Sequence, residues 1–139
     1  MPAFETDKLI RFHHCDPAGI VFYPQYFVLF NELVEDWFNG GLGIDFANFH
    51  AVSRLGIPMA HIECDFLAPS RIGEVLRFRL AVAKIGASSL TLAVDVRAGD
   101  DVRVRAKLVV VLVSLDSHRP VPIPPELRAK LDRFVVQSA

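Results

Sequence analysis

YPQYFVLFNELVEDWFNGG, residues 23–41, decides the architecture. Its apolar side chains Tyr26, Phe27, Phe30, Leu33, Val34, Trp37 and Phe38 recur at i, i+1, i+4, i+7, i+8, i+11 and i+12, the repeat of one helix face. Asn31, Glu32, Glu35 and Asp36 fill the gaps. Pro24 suits a first helical turn, where no backbone donor is required, and Asn39-Gly40-Gly41 supplies a stop. Val28 and Leu29 widen an apolar stripe already rich in aromatic rings, so the helix is expected to be wrapped by sheet and to form the centre of the core.

Downstream the period falls from helical to two. Leu76, Phe78, Leu80 and Val82 alternate with Arg77, Arg79 and Ala81, and the same alternation recurs at Leu90–Val96 and from Val102 through Leu108. Gly86-Ala87-Ser88 and Gly99-Asp100-Asp101 mark the reversals of an antiparallel meander. Ile57 to Phe66 reads as a further strand ended by Pro69, Phe4 to Cys15 as a first strand, and Pro124 to Phe134 as a closing helix. Ile44 to Leu55 reads as a short helix or an ordered loop. About five antiparallel strands and one long apolar helix bury each other most simply when the sheet curves round the helix, an α+β arrangement of hot-dog shape.

The chain has 139 residues, 52% of them hydrophobic, and nine scattered prolines, which fits a single domain over residues 1–139 with apolar surface to spare for other copies of itself. Fifteen basic against sixteen acidic residues leave a net charge of −1, which argues against a dedicated nucleic-acid binder. The longest apolar run, Leu108–Val113, is far short of the ~20 residues that cross a membrane. Glu5, Asp7 and Lys8 interrupt the N-terminal stretch as a signal peptide would not be interrupted, so a cytoplasmic location is expected. Cys15 and Cys64 then read as buried free thiols.

Between first strand and helix runs HHCDPAGIVFYPQYF, residues 13–27. Asp before Pro and Gly is ordinary turn chemistry. It also puts a carboxylate beside a helix N-terminus, whose unpaired amides and positive dipole end favour negative charge. The residues alone leave both readings open.

Asp16, Gly19, Ile20, Val21, Phe22, Tyr23 and Tyr26, with Glu63-x-x-Phe66-x-x-Pro69 and the tail Val110 to Leu127, resemble the 4-hydroxybenzoyl-CoA thioesterase family of hot-dog enzymes. The resemblance implies hydrolysis of an acyl-CoA or aroyl-CoA thioester. Asp16 would attack the carbonyl or activate water, and the Tyr23 backbone amide would polarise that carbonyl. Gly19, Val21, Phe22, Tyr26 and Phe27 would line the substrate site. No cofactor and no metal are expected. The resemblance also implies a homo-oligomer, dimer or dimer of dimers (a homotetramer), with sites between subunits to which His61–Phe66 of a neighbour would contribute. The carrier is CoA or an acyl carrier protein.

Pro24 has no amide, so Tyr23, Gln25 and Tyr26 are the nearest donors for an oxyanion. Other groups rank lower. His13, His14, Cys15 and Asp16 alternate in direction if they lie on a strand, so at most two could share an ion. Gly40-Gly41-x-Gly43 follows a helix and not a strand, and reads as a helix stop. Arg77, Arg79, Arg97, Arg103, Arg105 and Lys107 read as a solvated sheet face, with contact to CoA phosphates as the functional alternative. Two other functions stay open: a hot-dog dehydratase or hydratase using His13 or His14 with Asp16, and a non-catalytic acyl-CoA or acyl-carrier binding module.

Overall fold

The structure, a computed structural model, describes residues 3–136. Strand β1 (Phe4–Leu9) is followed by a 3-10 turn (Phe12–His14), helix α1 (Tyr23–Asp36) and a wide π turn (Trp37–Leu42). Then come α2 (Phe46–Ala51), the short β2 (Leu55–Gly56), β3 (Met59–Phe66), β4 (Val75–Ile85), β5 (Ser89–Ala98), β6 (Asp101–Val111), the short β7 (Val113–Ser114) and α3 (Pro125–Asp132). Five strands form one antiparallel sheet in the order β1-β4-β5-β6-β3, and β2 pairs with β7.

The expected mutual burial of sheet and helix is realised. Leu76, Phe78, Leu80 and Val82 of β4, Leu92 and Val96 of β5, and Val104 and Leu108 of β6 are buried on the helix side. Against them α1 buries Tyr26, Leu29, Phe30, Leu33 and Val34, and the π turn adds Trp37 and Phe38. Phe30 meets Phe78 edge-on, ring centres 6.3 Å apart. Side chains of this size contribute about 1.5–3 kcal/mol each when fully buried, so the α1–sheet contact dominates the stability of the fold.

Three boundaries and one burial differ from the sequence reading. The first strand does not run to Cys15: β1 stops at Leu9, and Phe12–His14 form a 3-10 turn. Asn39-Gly40-Gly41 does not stop the helix. The chain continues in the wider turn to Leu42 and ends at Gly43, whose φ of 68° is left-handed and open to glycine. Gly41 is there for packing, since a Cβ on it would lie 2.7 Å from Trp37 Cδ1. The strand expected over Ile57–Phe66 is broken around Pro58, with Leu55–Gly56 pairing to β7 and Met59–Phe66 to β6. Lastly, Cys15 and Cys64 are free but only half-buried.

Candidate active site

Residues 14–22 form a hairpin, and its tip is written in the sequence. Asp16 at the first position, Pro17 at the second and Gly19 at the fourth are the residue types a tight turn prefers. Gly19 N–H donates to Asp16 O at 2.9 Å, Gly19 has φ 79°, and Asp16 Oδ1 accepts Ala18 N–H at 2.9 Å. The arms then pair: Asp16 N–H to Ile20 O at 3.0 Å, Cys15 against Val21, and Phe22 N–H to His14 O at 2.9 Å. Phe22 is the residue on which α1 begins, and no side chain caps the helix there. Asp16 therefore stands two rungs, about 7 Å of strand, from the start of α1.

Of the three amides considered as oxyanion donors, Gln25 is spent, because its N–H donates to Phe22 O at 2.8 Å. The Tyr23 amide has no backbone acceptor among the described residues, and the carbonyl one turn back, Gly19 O, is taken by Ile72 N–H at 3.2 Å. Asp16 is half-buried, Phe22 and Tyr23 are exposed, and Phe27 is half-buried. Val21 is buried and tied to Cys15. Tyr26 is buried with its hydroxyl on Ser70, so its ring offers a wall and its phenol is not a free donor. Phe66, at the end of β3, joins this aromatic group with ring centres 5.9 Å from Tyr23, 5.9 Å from Tyr26 and 6.5 Å from Phe27.

The histidines are not on a strand. His14 is buried in the 3-10 turn, where its Nδ1 accepts Arg11 N–H at 2.8 Å, and burial followed by the neighbouring His13 holds its pKa below the ordinary value. A ring engaged this way is a poor proton shuttle, which weighs against a dehydratase. Burial, with a smaller contribution from Asp16, pushes the Cys15 thiol up, and burial pushes Cys64 up to about 11. Neither thiol is activated as a nucleophile. Among the described residues no three His, Cys, Asp or Glu side chains cluster as a metal site would require.

A groove of about 270 Å³ runs between α1 and the edge strand, lined by Val28, Asn31 and Glu35 of the helix and by Ile57, Met59 and Val110. A larger concavity, about 620 Å³, lies between Arg79, Ala81, Ala93, Asp95 and Arg105 on the outer side of the sheet. It includes no residue of the hairpin or α1, so size alone does not make it the site of chemistry.

Sequence reasoning missed Ser70 and Glu74 and placed Arg103 among the cations of a solvated face. Arg103 is not part of a solvated face: its side chain is 12% exposed and bonded to Glu74. Alternation along β6 sets it beside Arg105 and Lys107, but the 67–74 segment folds over the strand end and covers it, with Leu67 N–H on Arg103 O at 2.8 Å.

Residues 10–131, nearly the whole chain, match the family model of the thioesterase-like superfamily. The chain belongs to the thioesterase-like superfamily. Members similar to it include the 1,4-dihydroxy-2-naphthoyl-CoA hydrolases of Synechocystis, 22% identical over 89% of this chain and 91% of that one, and of Acaryochloris marina, 25% identical over 91% and 94%. Solved superfamily structures share the hot-dog fold. The Synechocystis 1,4-dihydroxy-2-naphthoyl-CoA thioesterase superposes with a TM-score of 0.84 at 20% identity, covering 94% of this chain and 96% of that one. A gentisyl-coenzyme A thioesterase superposes with a TM-score of 0.81 at 22% identity, covering 93% and 98%.

Proposed function

We propose that this thioester hydrolase cleaves an aromatic acyl-CoA, with Asp16 as the reacting carboxylate and the Tyr23 amide as oxyanion donor. The observation that supports this reading is the hairpin, which pairs residues 14–16 with 20–22 and so fixes the Asp16 backbone two rungs from an uncapped helix start. As the thioester carbonyl turns tetrahedral its oxygen gains negative charge. A preorganised amide at the positive end of α1 stabilises that charge, and removing one such donor typically costs about 3–4 kcal/mol.

Two routes use the same parts. In the first, Asp16 attacks the carbonyl carbon and the CoA thiolate leaves, so a mixed anhydride forms, which water then cleaves. In the second, Asp16 takes a proton from water as that water attacks. The aromatic acyl group is supported by the exposed rings of Tyr23 and Phe66 near the loop, and by the aromatic substrates in the names of the similar hydrolases. CoA is preferred over an acyl carrier protein on the same names.

The groove between α1 and β3 is small for an acyl site in one chain, where pockets usually reach about 300–1,000 Å³. A second copy pairing along the β3 edge would enlarge it, which supports a dimer, or a dimer of dimers, with shared sites. Among the described residues no helix is long and apolar enough to cross a membrane.

The test incubates the protein with benzoyl-CoA, 4-hydroxybenzoyl-CoA and short aliphatic acyl-CoAs and follows free thiol for wild type and Asp16→Asn. Asp16→Asn should slow aroyl-CoA cleavage about 100-fold or more; equal rates would remove Asp16 from the reaction. Binding without cleavage in the wild type would favour a binding module. Single-turnover hydrolysis in ¹⁸O-water identifies the anhydride route when label enters Asp16, since water attacking the Asp16 carbonyl of the anhydride leaves its oxygen there.

A further inference from the structure

The Asp16 hairpin is held from outside by segment 69–74. Val21 N–H donates to Ser70 O at 2.9 Å, Ile72 N–H donates to Gly19 O at 3.2 Å, and Ile20 bridges Arg71. Whatever fixes this strap therefore fixes one side of the loop that carries Asp16.

Arg103 fixes it. Its Nη1 donates to Pro69 O at 2.9 Å, Ser70 Oγ at 3.1 Å and Glu74 Oε1 at 2.9 Å, and its Nη2 to Glu74 Oε2 at 2.9 Å. Nε donates to Asp101 Oδ2 at 2.7 Å, which anchors the guanidinium on its own strand. Glu74 Oε1 in turn accepts Arg71 N–H at 2.7 Å. The strap is thus gripped by Arg103 at its start, Pro69 and Ser70, and at its end, Glu74. A planar guanidinium suits such a fork; a lysine is a point charge and cannot make it.

We propose that Arg103 is a positioning residue for thioester hydrolysis: by clamping Ser70 and Glu74 it sets where the strap holds Gly19–Val21, and hence where the Asp16 carboxylate stands relative to the Tyr23 amide. This rests on the reading of Asp16 and Tyr23 as the reacting pair. Arg103 touches no substrate. Its influence comes through distance, and a misplacement of ~1 Å at a reacting group can cost about 100-fold in rate.

The experiment measures kcat and KM for wild type, Asp16→Asn, Arg103→Lys, Glu74→Gln and the Asp16→Asn/Arg103→Lys double variant, on whichever acyl-CoA of the panel is cleaved best. Rates are taken per folded protein, with circular dichroism and urea midpoints measured alongside. Arg103→Lys and Glu74→Gln should each lower kcat about tenfold or more with KM changed by no more than about twofold. In the Asp16→Asn background Arg103→Lys should change kcat by no more than about twofold, because no reacting carboxylate remains to be misplaced. Arg54→Lys, on the exposed Asp116 pair, should leave kcat unchanged.

Wild-type kcat in folded Arg103→Lys and Glu74→Gln overturns the proposal, and so does an equal fold-loss from Arg103→Lys in both backgrounds. If Arg103→Lys does not fold, Glu74→Gln, which keeps the shape and loses the charge, decides it alone, with its own Asp16→Asn double. A failure of the underlying reading is distinguishable, because Asp16→Asn would then turn over at the wild-type rate.

Discussion

Tyr26 donates its phenolic O–H to Ser70 Oγ at 2.9 Å, and both side chains are buried, 3% and 1% exposed. This bond, between residues 44 apart in sequence, joins the buried face of α1 to the strap beneath the hairpin. Burial pushes the phenol's pKa up, so it stays a donor across the working pH range. Tyr26→Phe removes that donor but leaves Ser70 Oγ with Arg103, and should cost about 1 kcal/mol in urea unfolding. Ser70→Ala leaves the buried Tyr26 hydroxyl without its acceptor, while Arg103 Nη1 keeps Pro69 O and Glu74 Oε1, and should cost more, about 1–3 kcal/mol. The reverse order would mean that the serine is not the shared acceptor.

His14 predicts a pH dependence of stability. Its folded-state pKa lies below the ordinary 6.5 because burial, and then His13, oppose the charge, and protonation would set a ring N–H against Arg11 N–H. As pH falls through 6.5 the unfolded chain takes up a proton that the folded chain refuses, so stability is full above that value. It declines toward the lower folded pKa and then levels off. The slope from this one group cannot exceed about 1.4 kcal/mol per pH unit. Urea midpoints from pH 8 to pH 5 should decline for wild type and flatten for His14→Gln; parallel curves would discount His14.

Gly40 and Gly41 should respond oppositely to alanine. A Cβ at Gly41 would lie 2.7 Å from Trp37 Cδ1 and 3.1 Å from Phe4 Cδ1, and Trp37 is fully buried, so Gly41→Ala should cost about 1–3 kcal/mol. At Gly40 the nearest atom is 3.7 Å away, and a helical alanine gains up to about 1 kcal/mol over glycine. Thermal unfolding of the two variants gives the comparison. Equal effects would contradict the packing explanation for Gly41.

Phe66 should affect selectivity. Its ring contributes to the aromatic group with Tyr23, Tyr26 and Phe27, and contacts between rings are worth about 0.5–1.5 kcal/mol beyond area burial. Phe66→Ala should raise KM for benzoyl-CoA several-fold more than for a short aliphatic acyl-CoA. Parallel changes in both would place Phe66 outside the acyl site.

Much of the architecture was legible because it rests on local periodicity. The helical repeat from Tyr26 to Phe38 and the alternation at Leu76–Val82 each mark a buried face, and the two faces meet as expected in Phe30 on Phe78. The Asp16-Pro17-x-Gly19 turn was legible for the same reason, since turn chemistry involves neighbours. The boundaries read less well. Gly40-Gly41 resembles a stop in sequence, whereas in the fold it is the space that Trp37, Phe4 and Phe134 leave.

By itself, the sequence determined the period of each segment, the long aromatic helix, the turn that presents Asp16 and, through resemblance, the family to which the chain belongs. Only the tertiary structure decided that Tyr26 is tied to Ser70, and that Arg103 is not a surface cation but the clamp on Ser70 and Glu74. The physical reason is separation along the chain. Periodicity reports which face a side chain takes on its own strand, while the partner of Arg103 lies 29 residues away on a segment brought to it by the pairing of β3 with β6.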